Sequence, residues 1–214
     1  MVTGSCCTAP AARFFDESRA GKELRAYHRK GPGKTTKRLL AALRADGAGG
    51  TLLDLGSGSG VITLELLKSG VTRADCVDLS PGSLRVARAE AHRQGLAERI
   101  TWHEGDAVEL GPALPPADIV TLDRVVCCYP EYGPLLDQAA QHSRQWLALS
   151  YPRDRWYVRL GIWLENLVLR LQRDSFRAFG HPVAAMDALL RRAGFVPVRH
   201  DATLIWQSSL YRRT

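Results

Sequence analysis

Residues 52–60 read Leu-Leu-Asp-Leu-Gly-Ser-Gly-Ser-Gly, and this stretch decides the fold class. The apolar residues predict a buried strand with Asp54 near its end, and three alternating glycines follow. Glycine lacks a Cβ, so the loop can adopt unusual dihedral angles and let a ligand approach the backbone. A helix beginning near Val61 would point the positive end of its dipole at the same place. The stretch therefore predicts a nucleotide-type pocket at the carboxyl edge of a parallel sheet.

The glycine spacing differs from the dinucleotide-binding pattern G-x-G-x-x-G. Its sixth position is Val61 here, so the pattern is not met. A carboxylate at Asp54 would repel a pyrophosphate, whereas it would attract a ligand that carries an ammonium or a sulfonium.

Acids also stand at the ends of the next two predicted strands. Asp78 ends the second, where an acid can accept both ribose hydroxyl protons. Asp106 follows the third, where an acid can meet an adenine exocyclic amine. With Asp54, these residues would line one side of a single pocket.

Four motifs in order resemble those of class I S-adenosylmethionine-dependent methyltransferases. Residues 54–60 resemble the first motif, 77–80 the second, 105–107 the third, and 117–123 the fourth strand with its functional end. The resemblance implies an α/β fold with a Rossmann-like, doubly wound sheet of seven strands and an antiparallel C-terminal hairpin. It also implies S-adenosyl-L-methionine as methyl donor and S-adenosyl-L-homocysteine as product.

The resemblance also implies which residues contact the donor. N-terminal helices often cover the donor in this fold, and its carboxylate needs a cation or a hydroxyl. Tyr27 and Lys30 are therefore added to the motif residues. The predicted donor contacts are Asp54, Gly56, Ser57, Gly58, Gly60, Asp78, Leu79, Asp106, Ala107, Asp123, Tyr27 and Lys30.

The acceptor is expected to approach from beyond the ends of the fourth and fifth strands. Asp123 would hold the donor's amino group or act as general base, and Tyr129 would orient the acceptor. A capping acid and a packed aromatic are the alternatives for these two residues. His28 is a third candidate for the catalytic group. The predicted acceptor contacts are Arg124, Cys128, Tyr129, Trp156 and His181.

The second half of the chain is loosely similar to the magnesium-protoporphyrin O-methyltransferase branch, which methylates a tetrapyrrole carboxylate. The similarity rests on residues 122–130, on an amphipathic helix over 155–173, on His181-Pro182 and on Ala-Gly-Phe at 193–195. Arg124 and the double cysteine after it depart from that pattern, so only the layout carries over. That layout has N-terminal helices and a helix after strand five that acts as a lid. Packing on the core and binding at a membrane interface are the other interpretations of this tryptophan-rich helix.

The chain has 214 residues, which is enough for one α/β domain with a full core. We expect a flexible tail at 1–12, a helical cap at 13–47 and a methyltransferase domain at 48–214 that includes a lid insertion at 153–180. The oligomeric state is expected to be a monomer or a homodimer.

Composition narrows the partners and the compartment. The net charge of +7 fits a solvated surface or an anionic small substrate better than nucleic acid, since little sequence remains for a recognition domain. No apolar run reaches the length of a membrane span. Five cysteines, an odd number, favour a reducing, cytoplasmic location.

Two vicinal cysteine pairs, Cys6-Cys7 and Cys127-Cys128, raise the question of a metal. Soft thiolates bind zinc, copper or trivalent metalloids, but adjacent cysteines chelate one ion poorly. Buried cysteine usually acts as a small hydrophobe, so no metal is predicted.

The sequence thus predicts an enzyme that methylates O or N of a small molecule, with C and S as further options. One alternative is a non-catalytic subunit that keeps the donor fold for binding or scaffolding. Another is a nucleic-acid methyltransferase.

Overall fold

The computed structural model describes residues 10–214 and contains one seven-stranded sheet with the order β3-β2-β1-β4-β5-β7-β6. The strands are β1 (Gly50–Leu55), β2 (Val71–Asp78), β3 (Ile100–Glu104), β4 (Ala117–Asp123), β5 (Ser143–Pro152), β6 (Phe195–Ala202) and β7 (Trp206–Arg213).

Helices precede the first strand and connect most of the others. They are α1 (Glu17–Lys30), α2 (Lys34–Ala45), α3 (Val61–Lys68), α4 (Pro81–Arg93), α5 (Ala107–Leu110), α6 (Tyr132–His142), α7 (Trp156–Leu171) and α8 (Val183–Arg192). Short 3-10 turns occupy Ala97–Arg99, Gly111–Ala113 and Val126–Cys128.

Strands β1 to β5 are parallel, and β7 lies antiparallel between β5 and β6. The chain places β2 and β3 on one side of β1 and then returns to place β4 on the other. The order of strands reverses there, which is where open α/β sheets bind ligands beyond the carboxyl ends of their strands. The predicted α/β sheet with an antiparallel C-terminal hairpin is confirmed.

Both faces of the central strands are buried, so these strands read as apolar runs rather than alternating ones. Leu52 and Ile119 pack into a cluster with residues of α2 and α3. Leu53 and Val120, one residue further along, pack into a cluster with residues of α6 and α8. Because register fixes which side chain faces which layer, the polar strand ends are held at one common edge.

The N-terminal part differs from expectation where the structure describes it. Residues 10–14 are helical, and Ala11 is buried in a cluster with Leu169 and Phe176, so this part of the predicted tail is packed. The rest of that tail, Cys6-Cys7 included, lies outside the described residues. Helices α1 and α2 fall within the predicted cap at 13–47, and the domain boundaries stay a prediction.

A search of residues 10–214 finds no helix with the length and apolarity required to cross a bilayer.

Candidate active site

A cavity of about 760 Å³ opens at the carboxyl ends of β1, β2 and β4, beneath the two N-terminal helices. Its sheet wall consists of the residues at those strand ends, and its cap wall consists of the residues that α1, α2 and the turn between them contribute. A volume of this size lies within the usual range for ligand pockets. Of the predicted site residues, it is lined by Asp54, Gly56, Ser57, Gly58, Asp78, Leu79, Ala107, Asp123, Tyr27, Lys30, Arg124, Cys128 and Tyr129.

The glycine loop forms the floor of the sheet wall. Gly56, Gly58 and Gly60 all have positive φ angles, of 74°, 53° and 75°. A Cβ on Gly56 would lie 2.4 Å from the Val125 side chain. The loop that follows β4 therefore packs directly against the glycine loop. Gly60 immediately precedes α3, whose first amide groups therefore face the cavity side of the loop.

Asp78 ties β2 to this loop. Its two carboxylate oxygens accept hydrogen bonds from the Gly58 N–H at 2.7 Å and the Ser80 N–H at 2.8 Å. Burial raises the pKa of Asp78, and the two N–H donors oppose that rise. Each oxygen keeps a second lone pair, so the side chain can also accept two hydroxyl protons from a ligand in the cavity.

Asp54 is buried more deeply, at the end of β1. The hydroxyl groups of Thr121 and Thr63 donate to its two oxygens at 2.6 and 2.8 Å. Burial raises its pKa to about 7 in spite of these hydrogen bonds. Asp54 therefore changes charge near neutral pH and is held in place by one residue of β4 and one of α3.

Two buried polar atoms near the cavity lack partners among the described residues. Asp106 accepts from the Val108 N–H at 2.7 Å and from the Tyr129 hydroxyl at 3.3 Å through the same oxygen, and its Oδ2 has no partner. The Ser57 hydroxyl in the glycine loop is unpaired as well. Buried polar groups are rarely left unpaired, so both atoms fit a site whose ligand supplies a donor and an acceptor.

The end of β4 carries Asp123 and Arg124. Thr36 of α2 donates to one Asp123 oxygen at 2.5 Å, and Ser150 of β5 donates to the other. Arg124 has a left-handed backbone with φ of 64°, which is costly for a residue with a Cβ. Its N–H donates to the Ser150 hydroxyl at 2.9 Å, so Ser150 holds both residues at the cavity.

Glu23 of α1 is a cavity residue that the sequence did not single out. Its carboxylate accepts from the Ser59 hydroxyl at 2.8 Å and forms an ion pair with the Arg124 guanidinium. One side chain of the cap therefore contacts both the glycine loop and the end of β4. No local motif marks Glu23 or Thr36, because their partners lie 36 and 87 residues away in the chain.

Tyr27 and Lys30 both line the cap wall, but the Tyr27 hydroxyl is bonded to residues of α3. It donates to Glu65 at 2.7 Å and accepts from the Lys68 ammonium at 2.8 Å, which ties α1 to α3. Lys30 is accompanied on this wall by Lys34 and Lys37. A negatively charged group of a ligand would therefore be placed beside Lys30 rather than beside the Tyr27 hydroxyl.

Three predicted site residues lie away from the cavity. His28 lies 3.0 Å from the Glu90 carboxylate, between α1 and α4. Trp156 is 75% exposed at the start of α7. The His181 ring lies 3.1 and 3.0 Å from the carbonyl oxygens of Val126 and Tyr129, where burial lowers its pKa and where it supports the turn after β4.

Gly60 and Asp106 adjoin the cavity without lining it. Tyr129 does line it, yet its hydroxyl is directed to Asp106, and burial raises the pKa of that hydroxyl. That Tyr129 orients an acceptor stays a prediction. The contact seen in the structure suits a different role, in which the Tyr129 hydroxyl holds the Asp106 carboxylate in position. Among residues 10–214, no residue of α7 lines the cavity. Leu169 of this helix packs instead in a cluster with Leu79 and Cys128. The lid role of α7 therefore also stays a prediction.

The thiols of Cys127 and Cys128 both point to the Arg124 carbonyl oxygen, at 3.5 and 3.6 Å. Hydrogen bonding to Cys127 and burial raise the pKa of the Cys128 thiol. Within residues 10–214 no group of three or more His, Cys, Asp or Glu side chains is arranged to hold a metal ion.

Residues 52–147 match a family model described as a methyltransferase domain. The ribosomal protein L11 methyltransferase of Yersinia pseudotuberculosis is 33% identical over 88 residues, which cover 41% of this chain and 29% of that protein. A probable cobalt-precorrin-6B C(15)-methyltransferase of Pyrobaculum aerophilum is 36% identical over 69 residues, or 31% of this chain and 35% of that protein. The chain therefore spans about a third of the length of these curated relatives.

Among solved structures, the magnesium protoporphyrin IX methyltransferase of Synechocystis, crystallised with S-adenosylhomocysteine, superposes with a TM-score of 0.71. The two chains are 21% identical, and the superposition covers 90% of this chain and 86% of that one. At this identity the likeness shows the fold. Residues 52–147 therefore resemble a methyltransferase domain, and the chain shares the fold of the superposed S-adenosylhomocysteine-bound methyltransferase.

Proposed function

We propose that this protein binds S-adenosylmethionine in the cavity and transfers its methyl group to a small-molecule acceptor. The observation that carries the proposal is the glycine loop bound to Asp78, with the unpaired Asp106 Oδ2 and Ser57 hydroxyl beside it. Both curated relatives and the superposed structure are named as methyltransferases, which supports the reaction type.

The residues fit the parts of the donor one by one. Asp78 would accept the ribose hydroxyls, and Asp106 with Ala107 would receive the adenine. Lys30 on the cap wall would pair with the donor carboxylate. Asp54 and Asp123 would surround the cationic end with negative charge. When bound, the donor supplies an already activated methyl group on a sulfonium.

The protein's own contribution is alignment and exclusion of water. Arg124, Cys128 and Tyr129 lie on the part of the cavity next to the end of β4, where the acceptor would reach the methyl group. Asp123 would take a proton from an acceptor that carries one at neutral pH, while Thr36 and Ser150 hold its carboxylate in place. Oxygen and nitrogen are the acceptor atoms we favour, with carbon and sulfur as further options.

The cytoplasmic location belongs to the same proposal. The thiols of Cys76, Cys127 and Cys128 are free, as a reducing compartment would keep them. A monomer or a homodimer is compatible with the single cavity described above, which is built from one chain.

Calorimetry with S-adenosylhomocysteine tests the binding step. Asp78→Ala removes an acceptor for two hydroxyls and is expected to weaken binding by about 100-fold or more, since hydrogen bonds to charged groups contribute about 1.5–3 kcal/mol each. Asp75→Ala is the matched control on the same strand, because Asp75 pairs with His103 away from the cavity. Unchanged affinity in Asp78→Ala would overturn the proposed donor site.

The transfer step is tested by following S-adenosylhomocysteine release with a panel of phenols, carboxylic acids and amines. Turnover that disappears in Asp78→Ala but persists in Asp75→Ala supports an enzyme. Tight donor binding without turnover on any acceptor class would favour the scaffold alternative. Turnover on RNA or DNA alone, with binding that weakens steeply as salt rises, would favour the nucleic-acid alternative.

A further inference from the structure

The outward face of α7 is apolar and exposed along its whole length. Only Val158 and Leu169 of this helix are buried. At about 100° per residue the exposed apolar side chains fall within an arc of about 140°. They are Trp156, Leu160, Trp163, Leu164, Leu167, Val168 and Leu171, and they are between 40% and 76% exposed.

A second element extends this surface. Leu204 and Ile205, in the turn between β6 and β7, are 72% and 51% exposed. The Tyr157 hydroxyl donates to the Leu204 carbonyl at 2.9 Å, and the Arg153 N–H donates to the Ile205 carbonyl at 2.8 Å. The start of α7 and this turn are therefore held side by side. We call the seven α7 residues together with Leu204 and Ile205 the α7 patch.

The opposite face of α7 already anchors the helix to the protein. The Asn166 side chain exchanges two hydrogen bonds with the Ala178 backbone, at 2.8 and 2.9 Å. Leu169 packs with Ala11 and Phe176. The helix does not need its outward face to stay folded on the domain, so the fold does not account for an apolar surface there. Exposed patches of this kind mark interaction sites.

The charges around the patch are mostly positive, with Glu165 as the exposed acid on the edge opposite the arginines. The segment 153–177 contains six arginines and three acidic residues, in a chain whose net charge is +7. Helical geometry places Arg159 and Arg170 along one edge of the patch, with Arg155 and Arg173 at its two ends. Of these, Arg159 is partly compensated by Asp154 at 2.6 Å.

We propose that the α7 patch docks this protein on the surface of an anionic lipid bilayer. A helix with tryptophan and leucine on one face and arginines beside it has the composition that places a helix in the membrane interface. Arginine side chains at its edge can reach lipid phosphates while their stems stay with the apolar face. Two neighbouring elements that present apolar side chains side by side suit an extended surface of this kind.

A second copy of the chain is a poorer match for the same face. An antiparallel symmetric pair of α7 helices would bring the Arg159 and Arg170 edges of both copies to the same side. Like charges at that spacing repel, whereas anionic lipid headgroups attract them. Charge complementarity therefore favours lipid over this antiparallel pair.

The test is co-sedimentation of the full chain with phosphatidylcholine vesicles that contain phosphatidylglycerol, with pure phosphatidylcholine vesicles for comparison. We expect binding to the anionic vesicles, a blue shift of tryptophan emission, and weaker binding as salt rises. The double variant Trp163→Glu/Leu167→Glu should reduce the bound fraction about tenfold or more. Arg170→Gln should weaken binding about fivefold.

Val196→Glu is the matched control, because Val196 is also an exposed apolar residue but lies on β6 outside the patch. It is expected to bind vesicles like the unmodified protein. Failure of the unmodified protein to bind anionic vesicles would overturn the inference. So would a concentration-dependent dimer, seen by light scattering, that the double variant abolishes.

The same samples are titrated with S-adenosylhomocysteine. Retained nucleoside binding by the double variant shows that its fold is intact, so that its loss of vesicle binding is assigned to the patch. The donor site and the lipid surface are then tested by separate readouts, and either can fail alone.

Discussion

The two walls of the cavity are held together in different ways. On the sheet wall, Asp54 and Asp78 are bonded by Thr63, Gly58 and Ser80, all of which lie within about one βα unit along the chain, and Thr121 is the one distant partner. On the cap wall, residues of α1 and α2 reach partners that are distant in sequence. The sheet wall is therefore part of the folded core. The cap wall combines α2, which packs into that core, with cavity contacts between residues that are distant in sequence. We expect changes in the sheet wall to affect global stability and changes in the cap wall to act more locally.

The largest effect is expected for Gly56→Ala in the sheet wall. A left-handed backbone costs an L-residue about 1–2 kcal/mol, and overpacking adds about 1–3 kcal/mol. The added Cβ would meet Val125 at 2.4 Å, so we expect a loss of about 3–4 kcal/mol in the free energy of unfolding, together with loss of nucleoside binding. Gly47→Ala controls for the backbone cost alone, because its φ is 66° and nothing lies within 4 Å of its Cβ position. Equal destabilisation by the two substitutions would contradict close packing of Val125 on the loop.

The next effect is the pH dependence that Asp54 imposes. Its pKa is raised from 3.8 to about 7, so the folded state binds more protons than the unfolded state between these values. This contribution to stability is complete below the unfolded pKa and is lost as pH rises through about 7. We expect the free energy of unfolding to fall by about 2–3 kcal/mol between about pH 5 and about pH 8.

Urea denaturation of the unmodified protein and of Asp54→Asn at several pH values measures the contribution of Asp54 to the pH dependence of stability. The amide can keep one hydrogen bond to each threonine hydroxyl but does not titrate. The variant should therefore lose this part of the pH slope. Parallel profiles for the two proteins would show that Asp54 does not change charge in this range.

A smaller effect is expected for Thr36→Val, which removes the bond from the cap wall to Asp123. Loss of a hydrogen bond to a charged group costs about 1.5–3 kcal/mol when the acceptor is left alone, and Asp123 still accepts from Ser150. We therefore expect the free energy of unfolding to fall by about 1.5 kcal/mol and the rate of methyl transfer to decrease. Thr35→Val on the same helix is the control for the change of shape. If both valine variants transfer methyl at the same rate, Thr36 does not position Asp123.

The smallest effect on stability is expected for Glu23→Ala. Its ion pair with Arg124 is partly exposed, and such pairs contribute less than about 1 kcal/mol. The change should instead appear as faster hydrogen exchange in α1, because the bond to Ser59 is lost as well. Glu17→Ala serves as control, since Glu17 pairs with Arg85 on the outer side of the same helix. Equal exchange in the two variants would mean that Glu23 does not fasten the cap.

Much of the sheet wall could be predicted because its signals are local. Glycines with positive φ, a strand that ends in Asp78 and the Ser80-Pro81 helix start all act over a few residues. Asp78 nevertheless has a contact that the sequence did not suggest, the Gly58 N–H across the crossover. The predicted roles of His28, Trp156 and His181 rest on residue type, whereas helical phase and loop direction place these residues away from the cavity.

By itself the sequence determined the parallel sheet, the position of its polar edge and the glycine loop, since backbone conformation and burial on both faces follow from short-range pattern. Only the tertiary structure decided which side chains of the cap meet that edge, namely Glu23 at Ser59 and Arg124, and Thr36 at Asp123. The tertiary structure also decided that the outward apolar face of α7 is exposed to solvent. The packing of helices on a sheet sets such contacts between residues that are far apart in the chain, and no local pattern encodes them.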